Sequence, residues 1–69
     1  MKLSARNVLK GKVVQVTKGQ TTALVKIEIA TGTVITASIT NNAVEDLQLK
    51  AGDAACAVIK ASDVMVARD

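Results

Sequence analysis

Over most of this 69-residue chain the hydrophobic positions recur every second residue, the period of a strand with one buried face. Residues 9–17 are rich in Val and end at Lys18-Gly19, a turn signal, and residues 22–30 alternate Val25, Ile27 and Ile29 against Lys26 and Glu28. The pair predicts a hairpin. Thr31-Gly32 then separates it from residues 34–40, where Ile35, Ala37 and Ile39 share one face and Thr36 and Ser38 the other. At Asn41-Asn42 the period changes. Asn42 followed three residues later by Glu45 has the form of a capping box, predicting a short helix through about Leu47 with Val44 and Leu47 facing the core. Lys50-Ala51-Gly52-Asp53 reads as a turn, and residues 54–60 and 63–67 as two further strands with Ala61-Ser62 between them.

Five strands with one short helix between the third and fourth give an all-β chain. This is the element order of a small Greek-key barrel of the oligonucleotide/oligosaccharide-binding (OB) type, and the spacing also fits other small barrels. No proline, low-complexity tract, linker or internal repeat divides the sequence, so residues 1–69 read as one domain. Composition adds a constraint. The chain is 49% hydrophobic but 0% aromatic, so its core must be built from Ala, Leu and β-branched side chains, each burying less apolar area than Phe or Trp. Domains of this size usually draw firm stability from disulfides, a metal or oligomerisation. A single cysteine, Cys56, excludes an internal disulfide, and with no His there is no zinc ligand set. Cys56 lies in an apolar run and reads as a small buried hydrophobe. Self-association is the remaining support.

The longest apolar run, residues 54–59, is far short of the roughly 20 residues of a spanning helix, and no segment has signal-peptide character. A cytoplasmic protein with no membrane partner is expected. The formal charge of +3 is unevenly placed: Lys2, Arg6, Lys10, Lys12 and Lys18 precede any acid, and all 6 acids lie at Glu28 or beyond. The amino-terminal quarter is therefore the part that attracts anions. Within it, Lys10 and Lys12 alternate with Gly11 and Val13, as solvated residues of a half-buried strand do. Without His, and with its cysteine in an apolar run, the chain has no evident general base or activated nucleophile. Its acids are too scattered for a divalent-cation loop, and its glycines too isolated for a phosphate loop. A binding protein is expected, not an enzyme, with no catalytic residues, no catalytic cofactor and no metal-cation ligands.

Two clusters carry the chemistry. Ser4-Ala5-Arg6-Asn7 and Lys60-Ala61-Ser62 offer hydroxyl, guanidinium, ammonium and backbone N–H donors, and neither contains a carboxylate. Brought together, they make an anion site. A single-stranded nucleic-acid-binding barrel is the alternative, but such barrels stack bases on aromatic side chains, and this chain has none. Only backbone electrostatics would remain, so nucleic acid ranks below a small anion as the partner.

These motifs in sequence order, namely Ser4-Ala5-Arg6-Asn7, Leu9 to Val14, Val34 to Ala37, Ile39-Thr40, Leu47, Leu49, Gly52-Asp53, Ile59 to Ser62 and Val64-Met65, resemble the Mop domain family. That family includes the molbindins, once called molybdenum–pterin-binding proteins, and the likeness covers essentially the whole chain in register. The resemblance implies the five-stranded OB-like barrel and dimers with exchanged terminal strands. For a stand-alone domain it further implies a hexameric trimer of dimers binding molybdate, and tungstate likewise, at subunit interfaces. Carried over, Ser4, Ala5 and Arg6 of one subunit and Lys60, Ala61 and Ser62 of its partner form the main oxyanion site, with Asn7 orienting the loop. A second kind of site near the three-fold axis is assigned to Gly19, Gln20 and Thr21. In related proteins the domain is fused to an ATPase or a DNA-binding module; with neither here, the implied role is free-standing oxyanion storage and homeostasis.

Overall fold

A computed structural model of the chain describes residues 3–69, so Lys2 of the basic stretch lies outside the described residues. The sheet is antiparallel, with order β3-β2-β1-β4: β1 (Asn7–Lys18), β2 (Thr22–Ala30), β3 (Thr33–Thr40) and β4 (Ala54–Ile59). One short helix, α1 (Asn41–Asp46), sits between β3 and β4. The three amino-terminal strands and the Gly52 turn stand where the two-residue period placed them. Lys10 and Lys12 are exposed and Val13 is fully buried, as that alternation requires.

The core consists of Val13, Ala23, Val25, Ile27, Val44 and Ala57, with Leu9, Val16, Ile35, Ile39 and Leu49 packed against it. Directly opposed residues such as Val13 and Ile27, or Val16 and Val25, place their side chains on this inner face. Between those two pairs the register shifts at Val14, a bulge that adds bend and twist to β1. Val13 is held on its other side by the turn before β4: its N–H donates to the Asp53 carbonyl at 2.8 Å, and its carbonyl accepts from Gly52 N–H at 2.7 Å. Gly52 has a φ of +99°, which suits glycine.

At four places the structure corrects the sequence reading. The helix is capped by Thr40, not Asn42: Thr40 is extended, and its hydroxyl accepts from Ala43 N–H at 3.0 Å. Asn41 is drawn into the helix start by the β1–β2 turn, to which its backbone and side-chain N–H groups both donate. At the other end Leu47 is the C-cap and is 66% exposed. Gln48, in the left-handed region with φ 53°, reverses the chain, and Leu49 packs on the core instead. Bonds from Gln48 N–H to Glu45 O (3.1 Å) and Leu49 N–H to Val44 O (3.0 Å) complete a Schellman closure.

Cys56 is exposed, because Ala55, Ala57 and Ile59 occupy the inner face of β4 and leave Cys56 and Val58 on the outer one. The fifth strand expected at 63–67 does not form. Ala61–Asp63 make a single 3-10 turn, and residues 64–69 belong to no strand. Val64 has extended backbone, but a strand needs a ladder partner, and the segment pairs with none of the described residues. The two outer strands, β3 and β4, line one apolar groove of about 760 Å³ together with Val25, Ile27 and Leu49. The sheet therefore curls towards a barrel and leaves a slot between its edges.

Gly11 marks where β1 passes from its pairing with β2 to its pairing with β4. A Cβ there would stand 2.5 Å from the Glu28 carbonyl oxygen and 2.8 Å from Ile27 Cγ2, contacts that only a shift of backbone could relieve. Gly11→Ala is expected to lower stability by about 1–3 kcal/mol, the usual range for overpacking. Urea unfolding of the two proteins under matched conditions measures it.

Candidate functional site

The two donor clusters lie at opposite ends of the sequence, and the β1·β4 ladder brings them together. Its register runs from Lys12 opposite Ala54 to Asn7 opposite Ile59. Ser4-Ala5-Arg6 lead into that last rung and Lys60-Ala61-Ser62 lead out of it, so both clusters of one chain stand at the same end of the same ladder. Asn7 closes the rung a second time, its side-chain Nδ2 donating to the Ile59 carbonyl at 3.1 Å. Its amide donor is thereby engaged within the fold. Asn7 thus ties together the two strand ends from which the clusters diverge.

Ser4, Arg6, Lys60, Ala61 and Ser62 are exposed and Ala5 is half-buried. Among the described residues the one ion pair is Lys18 with Glu45 at 3.5 Å, so neither Arg6 nor Lys60 is neutralised by a carboxylate. Asp63 follows directly, and its N–H, like that of Val64, turns back to the carbonyls of Lys60 and Ala61 at 2.9 and 3.3 Å. The first N–H groups of such a turn have no acceptor inside it and are free to donate elsewhere. The arrangement is a set of exposed donors, two of them cationic, suited to a ligand that only accepts.

Gly19, Gln20 and Thr21 form the β1–β2 turn, at the other end of β1 from these clusters. The turn is closed by Gly19 N–H to Thr22 O at 2.7 Å and tied to the helix start by Asn41, whose N–H reaches Thr21 O at 2.9 Å and whose Nδ2 reaches Gly19 O at 3.0 Å. The nearby Lys18 faces Glu45. Within one chain this turn thus exposes less positive charge than the β1·β4 end. Asn41 is the residue that sequence reasoning missed; its only signal was the polar run Thr40-Asn41-Asn42 directly after a strand.

Residues 3–66 match the TOBE domain. The chain belongs to that family, in its Mop-type form. It is 53% identical over 66 residues to molybdenum-pterin-binding protein 3 of Clostridium pasteurianum, covering 96% of this chain and 97% of that one. Among solved structures it resembles a molybdate-binding protein from Sporomusa ovata, at 37% identity and a TM-score of 0.92 over 99% of this chain and 100% of the other. It also resembles the cytoplasmic molybdate-binding protein ModG in a molybdate-bound form, at 46% identity and a TM-score of 0.90 over 94% of this chain and 46% of the other. These relatives are described as binding proteins. The whole-chain likeness confirms the Mop-type reading made from the motifs, and the TM-scores show that their single chains share this TOBE domain's path.

If Asn7 ties these strand ends together, Asn7→Ala is expected to lower stability by about 0.5–1.5 kcal/mol, the net value of one hydrogen bond. Amide hydrogen exchange at the Asn7–Ile59 rung should accelerate, with the Lys12–Ala54 end of the ladder little changed.

Proposed function

We propose that this chain binds molybdate, and tungstate likewise, at the donor clusters Ser4-Ala5-Arg6 and Lys60-Ala61-Ser62, serving as a cytoplasmic oxyanion store. The observation that carries this reading is the exposed, donor-only character of both clusters, with no carboxylate paired to either cation among the described residues. Molybdate at neutral pH is a fully deprotonated tetrahedral dianion, so its site needs donors alone, whereas hydrogen phosphate carries a proton that seeks an acceptor. The molybdate ligand named for ModG and for the Sporomusa ovata protein supports the same class. Sulfate matches molybdate in charge and shape, so discrimination between them rests on the size of the assembled pocket.

The working unit is an oligomer, a dimer with exchanged carboxy-terminal strands assembled further into a hexamer. Its support is the open slot between β3 and β4 together with an unpaired apolar tail; a second copy's residues 63–67 would fill the slot to give the five-stranded barrel. In that dimer each site takes Ser4 to Arg6 from one subunit and Lys60 to Ser62 from the other. A second oxyanion site at Gly19, Gln20 and Thr21 would draw its donors from several copies around the three-fold axis.

Calorimetric titration with molybdate, alongside sulfate as competitor, tests the ligand. Arg6→Ala and Lys60→Ala are each expected to weaken molybdate binding by about 1.5–3 kcal/mol, the range for a hydrogen bond to a charged group, with assembly intact. Unchanged affinity in both variants, or no heat of binding by the unaltered protein at millimolar molybdate, contradicts the reading.

A further inference from the structure

Two of the chain's acids have a visible structural task. Glu45 meets Lys18 at 3.5 Å, and the Asp53 carboxylate accepts the Lys50 N–H at 3.1 Å to close the turn before β4. Asp63 has no such task. It is exposed, and among the described residues its carboxylate pairs with no cation and accepts no hydrogen bond; what holds the 3-10 turn is its backbone N–H, which donates to the Lys60 carbonyl at 2.9 Å. An acid in a first turn ordinarily answers a helix dipole or reaches back to the N-cap N–H, but a turn of three residues has little dipole and no such bond is made.

The place of this idle carboxylate is specific. Asp63 follows Ser62 directly and stands three residues from the N-cap Lys60, the two positions that a capping box brings side by side, so a negative charge flanks the donors Lys60, Ala61 and Ser62. Beside an oxyanion that charge is repulsive. Resting on the functional reading above, we infer that Asp63 limits the affinity of the oxyanion site and keeps the bound ion releasable. It acts through its charge, without contact to the ion. A unit charge about 8 Å from a dianion in water changes its binding about 5-fold with little salt, and about 2-fold at physiological ionic strength, where that separation equals one Debye length. A store needs such a limit. Donors alone would hold the ion most tightly, whereas a fixed opposing charge loosens the hold and leaves the arrangement of donors as it is.

Calorimetric titration of the full chain with molybdate, at about 10 mM and about 150 mM NaCl, tests the role of this charge. Asp63→Asn keeps the size of the side chain and removes its charge, while Asp63→Glu keeps the charge. Asp46→Asn is the control, because it removes the same charge from α1, which stands at the other end of β1 where Glu45 meets Lys18. Asp63→Asn is expected to bind molybdate about 5-fold more tightly than the unaltered protein at the lower salt and about 2-fold more tightly at the higher. Asp63→Glu and Asp46→Asn are expected to match the unaltered protein. Unchanged or weaker binding by Asp63→Asn, a gain that salt does not diminish, or an equal gain in either companion variant overturns the inference and leaves molybdate binding itself standing. Failure of the unaltered protein to bind molybdate instead removes the functional reading beneath it.

Discussion

The fold rests on the pairing of β1 with β4, which joins positions 52 residues apart in sequence at a single rung, Asn7 with Ile59. Everything amino-terminal to that rung and everything carboxy-terminal to it must emerge at the same place. The bulge at Val14, the close passage at Gly11 and the clasp of Val13 by Gly52 and Asp53 all serve to bend β1 so that it can hold β2 with one stretch and β4 with another. The donor clusters are consequences of this geometry. One ladder end of each chain thus presents both kinds of donor to whatever faces it.

The absence of aromatic side chains shapes the rest. A core of Val, Ala, Ile and Leu closes one side of the curled sheet but leaves a groove of about 760 Å³ between the outer strands. An open apolar slot and an unburied apolar tail on the same chain are complementary needs. On the dimeric reading proposed above, the tail of a second copy would answer both.

Much of this was legible in the sequence, and the failures have one cause. Strands β1 to β3 announced themselves because each turns one face towards the core, which writes a two-residue period into Val25, Ile27 and Ile29 or into Ile35, Ala37 and Ile39. The donor clusters were legible as chemistry, but that one ladder brings both clusters of a single chain to the same end was not. What could not be read locally was whatever a distant contact decides. Asn42 looked the better cap, but the hairpin turn claims Asn41 and passes the capping role to Thr40. Leu47 and Leu49 exchange places because Gln48 adopts a left-handed conformation that no glycine signalled. Cys56 faces outward because a single step along β4 changes its face. The fifth strand expected at residues 63–67 rested on apolar composition alone, yet a strand is a property of two chain segments, and the segment finds no ladder partner among the described residues.

Mixed assemblies of two defective chains test whether the site's two halves come from different subunits, as proposed above. Arg6→Ala chains and Lys60→Ala chains, refolded together, form heterodimers in which one site carries both defects and the other neither. Molybdate binding at the affinity of the unaltered protein is expected to reappear in the mixture, at about half a site per chain of heterodimer, though absent from either variant alone. A mixture that binds no better than its components would contradict it, placing both halves of each site within one chain.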